Sequence, residues 1–126
     1  MNVEEINGLF EREFGPIKDK FHVLDPLSVE EARISTADFV WHPGVYVWIH
    51  PEKGVIRVGR HLTNSRKRAL AHVGANTGGI MAEIARDPKT TILLFNVIDP
   101  KQVHWVAALE IYFESQLNPL VKAGRL

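Results

Sequence analysis

The chain contains no cysteine, which excludes disulfide bonds, thiol catalysis and cysteine-ligated zinc and fits an intracellular, cytoplasmic protein. It has no apolar run approaching the ~20 residues that a helix needs to cross a bilayer, so no membrane partner is expected. The first residues, Met1-Asn2-Val3-Glu4-Glu5, are acidic where a signal peptide would be basic and then apolar. A phosphate loop is missing as well: the glycine-rich stretch from Gly74 to Gly79 lacks the Gly-Lys-Ser/Thr ending. The histidines at 22, 42, 50, 61 and 104 form no helical pair or tight cluster of metal-ligand spacing, and read as surface or packing residues.

A net charge of zero hides an uneven distribution. Residues 1–40 hold nine acidic and four basic residues, a balance of −5, and the remainder holds eleven basic against six acidic, a balance of +5. Within that remainder Arg57, Arg60, Arg66, Lys67 and Arg68 fall in twelve residues with no acid among them. Such density is what a phosphate-binding face requires, although a solvated helix face has the same composition. The acidic N-terminal third is a candidate surface for a protein partner.

At 126 residues, 45% hydrophobic and 24% charged, the chain reads as one soluble domain with a core of its own. Ile6, Leu9, Phe10 and Phe14 recur at helical spacing and predict a helix over 2–14, stopped by Gly15-Pro16. Phe21 to Leu24 is a short apolar piece. Ser28, with Glu31 three residues on, has the form of a capping box for a short helix to about Ile34. Val45–Ile49 and Val55–Val58, separated by Pro51-Glu52-Lys53-Gly54, predict a hairpin. A helix follows, capped by Thr63 or Ser65, on which Arg68 and His72 share a face.

Further on, a short helix is expected from Ile80, and Thr90–Ile98 is the strongest strand signal, central and covered on both faces. A long helix over about Lys101–Leu117 should follow, with Asp99 as its cap and Pro100 in its first position. Glu110 falls in the middle of that helix's apolar stripe of Val103, Val106, Ala107, Phe113 and Leu117. A buried carboxylate must be neutralised, paired with a cation or bound to metal.

Taken in order, Gly44-Val45-Tyr46, Arg57-Val58-Gly59, Arg68, His72, Glu110 and Pro119 resemble the motif set of the GIY-YIG nuclease family. The resemblance implies an α/β fold with a small, mainly antiparallel three-stranded sheet flanked by helices over 43–126, with 1–42 as a helical extension packed on it. It implies a metal-dependent endonuclease acting on DNA. Glu110 would hold a magnesium or manganese ion, Arg68 would contact the phosphate under attack, and Tyr46 and His72 would surround the attacking water. Arg60, Arg66, Lys67 and Lys122 would meet the nucleic-acid backbone.

The chain departs from the family pattern at two places. Arg57 replaces the tyrosine of the second motif, and a guanidinium stays protonated at any working pH, so the base role passes to Tyr46 or His72. Lys122 stands where the family has a late asparagine, with Asn118 four residues earlier as its alternative. Arg68 stands one residue further from Gly59 than usual, which keeps Arg66 and Lys67 in consideration, and Glu114 is the alternative carboxylate. The substitutions favour a second expectation: a catalytically impaired relative that persists as a nucleic-acid-binding or protein-interaction module.

Overall fold

The computed structural model describes residues 1–74 and 80–122, the side chains of 72–74 excepted. Most of the glycine-rich connection therefore lies outside the described residues.

Helix α1 runs Val3–Phe14. Its start is fixed by reciprocal hydrogen bonds: the Glu5 N–H donates to Asn2 Oδ1 (2.9 Å) and the Asn2 N–H to Glu5 Oε1 (3.1 Å). Ile6, Phe10 and Phe14 are its buried face, each contributing roughly 1.5–3 kcal/mol of burial. After a 3-10 turn over Gly15–Lys20 come strands β1 (Phe21–Val23) and β2 (Leu27–Ser28). Ser28 and Glu31 form the expected capping box of α2 (Val29–Ile34). The two Ser28 bonds hold the Glu31 carboxyl below its ordinary range.

The hairpin consists of β3 (Gly44–His50) and β4 (Gly54–His61), followed by α3 (Ser65–Gly74). Helix α4 (Ile80–Arg86), strand β5 (Thr91–Val97) and helix α5 (Val103–Leu117) complete the order. The expected start of α5 is corrected by two residues. Asp99 and Pro100 form a turn instead, in which Asp99 Oδ1 accepts from the Lys101 N–H (3.0 Å) and the Asp99 carbonyl from the Gln102 N–H (3.0 Å). Asn118, in the left-handed conformation (φ 47°), closes α5.

The expectation of a three-stranded sheet is overturned. The sheet has five strands in the order β1-β5-β3-β4, with β2 also on β5, and every described pairing is antiparallel. The additional strands come from the short apolar piece and the residues after Asp25-Pro26. Phe21, His22 and Val23 lie opposite Val97, Asn96 and Phe95, and Leu27 and Ser28 opposite Ile92 and Thr91. A buried central strand such as β5 needs both backbone edges paired, and these five residues supply the second edge.

Side chains alternate between the two faces. Val45, Val47, Val58, Phe95 and Val97 pack with Ile6, Phe10, Val106, Leu109 and Phe113 from α1 and α5. Tyr46, Trp48, Ile56, Ile92 and Leu94 pack with Val29, Ala32, Ala69, Met81 and Ile84 from α2, α3 and α4. Beyond Pro119 the chain runs along the outer edge of β4, where the Leu120 and Val121 N–H groups donate to the carbonyls of Val55 (3.0 Å) and Ile56 (2.7 Å). Among the described residues no helix is long and apolar enough to cross a membrane.

Candidate functional site

Tyr46 lies on β3 between Val45 and Val47, whose side chains enter the opposite core, so its ring goes to the α3 side. Its cross-strand partner is Gly59. A Cβ at Gly59 would overlap the hydroxyl oxygen and Cζ of Tyr46, so this glycine is the space that the phenol occupies. Arg57, two residues earlier, points to the same face. Arg68 reaches the phenol from the first turns of α3.

Tyr46 is only 2% exposed, and burial pushes its pKa above the ordinary 10.0, against the charges and hydrogen bonds of Arg57 and Arg68. The phenol is therefore a neutral O–H donor at neutral pH, flanked by two guanidiniums. Arg68 is exposed to solvent, whereas Arg57 is half-buried and its Nε has no hydrogen-bond partner among the described residues. A buried donor in that condition calls for an acceptor. A strand, a neighbouring strand and a helix thus converge two positive charges and one hydroxyl, an arrangement complementary to a phosphate.

Glu110 approaches β4 from the other face of the sheet. It is buried (4% exposed) on α5, and its Oε1 lies 3.9 Å from Nη1 of Arg60, an ion-pair distance beyond hydrogen-bond length. Arg60 faces Val45 across the hairpin, which places it on the α5 side while Arg57 and Gly59 are on the α3 side. Among the described residues no three of His, Cys, Asp and Glu gather as a metal cage. One carboxylate fits a hard, hydrated cation that takes its other ligands from water and substrate oxygens.

The remaining expected residues have separate positions. Arg66 Nη1 donates to the carbonyls of Ser35 (3.2 Å) and Ala32 (3.4 Å), closing the C-terminal end of α2. Lys67 is exposed. Lys122 donates to Asn118 Oδ1, so the lysine and its proposed alternative act together. The backbone of residue 72 continues α3, and the His72 side chain lies outside the described residues.

The start of α3 differs from expectation in its cap. Asn64 is the capping residue, its Oδ1 accepting from the Lys67 N–H (3.0 Å), and neither Thr63 nor Ser65 does so. His61 sets this up: its Nδ1 accepts from the Asn64 N–H (2.9 Å) and bonds Thr63 Oγ1 (2.8 Å). Ser65 is drawn inward, where its hydroxyl donates to Asn96 Oδ1 at 2.5 Å. His61, Thr63, Asn64, Lys67, Arg68 and Ala71 line a hollow of about 320 Å³ beside Arg68. A larger hollow, about 440 Å³, lies between α2 and the end of α4 and shares no residue with this cluster.

Asn96 is a positioning residue that sequence reasoning passed over. It is fully buried, its Nδ2 donates to the Phe39 carbonyl (2.8 Å), and a Cβ on Gly44 would overlap it. A lone amide in the apolar run Ile92–Val97 was the available signal. No family model, curated protein or solved structure matches the chain.

Proposed function

We propose that this chain is a metal-dependent endonuclease that hydrolyses phosphodiester bonds in DNA, related to the GIY-YIG nucleases by its ordered motif residues. The observation that carries the reading is the buried Tyr46 hydroxyl between Arg57 and Arg68, seated over Gly59. Arg68, exposed, holds the phosphate under attack, and Arg57 takes a second oxygen through its guanidinium. The raised pKa keeps Tyr46 protonated, which suits it to donate a hydrogen bond and leaves proton abstraction to His72. By the motif order Glu110 is the residue that would hold a magnesium or manganese ion, with the charge neutralisation that ion supplies, beside Arg60 on the α5 side of the sheet rather than beside Arg57 and Arg68.

Incubation of the protein with supercoiled plasmid in magnesium, manganese or EDTA tests this. Metal-dependent nicking that disappears in Glu110→Gln, with binding retained, is the expected result. Silence of the wild type on plasmid, branched and single-stranded DNA would refute it.

A second reading has its own support. Arg57 stands at a family tyrosine, and Arg57 and Arg68 favour anion binding whether or not turnover follows. A binding module would be indifferent to metal and to Glu110→Gln, and would lose affinity on Lys67→Ala.

A further inference from the structure

The loop between α2 and β3 presents an aromatic side chain in a way its own folding does not require. Val40 is completely buried in the α3-side core, yet Trp41, the next residue, has half of its surface exposed. Phe39 before them has φ +66°, a left-handed conformation that aromatic residues rarely adopt. The surroundings over-determine it: Asn96 holds its carbonyl, and its ring lies 5.1 Å from each of the His22 and His42 rings. The indole is thus displayed from a fixed loop, and strain held in place this way is typical of binding elements.

Beneath Trp41 is a prepared cation. The Arg66 guanidinium carbon lies 5.5 Å from the indole centroid, and the same guanidinium is tied to the Ala32 and Ser35 carbonyls. The Ser65 N–H donates to the His42 carbonyl (3.1 Å), which fastens the tryptophan loop to the first residue of α3. The exposed Lys67 and Arg68 follow at once, within the acid-free basic run 57–68. Asp38 is the nearest acid in the loop sequence, three residues before Trp41.

We infer that Trp41, backed by Arg66, is a stacking platform for an unpaired nucleobase, so that the nucleic acid bound here is single-stranded or locally opened. An indole and a planar cation accept the face of any base, while a paired base inside a duplex offers only its edge. The positive run beside the platform selects a polyanionic strand over a protein partner. The inference rests on the nucleic-acid reading above and adds the form of the substrate.

The test is binding in EDTA, where cleavage does not intervene, of a labelled oligothymidylate and of a blunt duplex of equal length. Wild type should hold the single strand more tightly. Trp41→Ala should weaken the single strand roughly tenfold and the duplex little, while Trp41→Phe keeps most of the affinity. Thermal melts followed by circular dichroism confirm that the variants are folded. Equal effects of Trp41→Ala on both forms, no effect on either, or no binding of either by wild type would overturn the inference, the last pointing to a protein on this face. A wild type that fails to cut but shows the Trp41-dependent preference supports the inference and removes the nuclease reading. Cutting combined with unchanged Trp41→Ala binding does the reverse.

Discussion

Tyr46 and Gly59 are cross-strand partners, and the ring of the first occupies the volume that a side chain on the second would need. Gly59→Ala should therefore displace the phenol from Arg57 and Arg68 and cost about 1–3 kcal/mol in overpacking. Urea unfolding and phosphodiester cleavage should fall together. In a Tyr46→Ala background the same glycine change should be nearly neutral for stability, a non-additivity that isolates this contact.

Tyr46 also predicts the alkaline limb of the stability curve. Its folded pKa is raised above the ordinary 10.0, mainly by burial, so the unfolded chain releases the proton first as pH rises. The stabilisation is complete below that ordinary value and is lost as pH climbs from it toward the raised folded value. Tyr46→Phe should flatten this decline, whereas Arg68→Met, by removing a charge and a hydrogen bond that hold the Tyr46 pKa down, should raise that pKa further. Denaturant midpoints and tyrosinate absorbance measured across the alkaline range give both answers.

On the acid side, the relevant pair is His50 and Asp87. His50 Nε2 lies 2.6 Å from Asp87 Oδ2, and its Nδ1 accepts from the Glu52 and Lys53 N–H groups, joining the hairpin turn to the loop before β5. The His50 bond, with that from the Lys89 N–H, holds the Asp87 carboxyl below its ordinary 3.8. This contribution is present above that value and disappears as pH falls through the lowered one. Asp87→Asn should reduce stability at neutral pH and shrink the acid-dependent loss, as read by urea midpoints between pH about 2 and about 6.

Arg66 and Lys67 are adjacent in sequence but should behave differently on substitution. Arg66→Met removes the donor to the Ala32 and Ser35 carbonyls and should cost about 1–2 kcal/mol of stability. Lys67→Met, on an exposed position, should leave the thermal melt unchanged and reduce the salt slope of DNA binding by about one.

What could be read before the structure was chiefly what is encoded locally. The α1 period, the Ser28–Glu31 box, the hairpin and the apolar run of β5 each carry their signal within a few residues. Phe21–Val23 and Leu27–Ser28 are too short for alternation to register, and they become strands because β5 requires a second edge. The cap of α3 went to Asn64 because His61 and Asn96 engage its neighbours, contacts that no local pattern contains. At the site, Tyr46, Arg57 and Arg68, which the motif order names at separate places in the sequence, meet in the fold. It did not disclose that Arg60, by strand alternation, turns to Glu110 on the other face.

The two backbone bonds from Leu120 and Val121 to β4 also have a consequence for solubility. An outermost strand with free N–H and C=O groups is a template on which a second copy, or a growing fibril, can register. Here the chain occupies part of that template itself, at Val55 and Ile56, and the stretch of β4 that follows carries the guanidiniums of Arg57 and Arg60, which repel an identical strand. Shortening the protein before Leu120 would uncover Val55 and Ile56 and convert a self-sealed margin into an adhesive one.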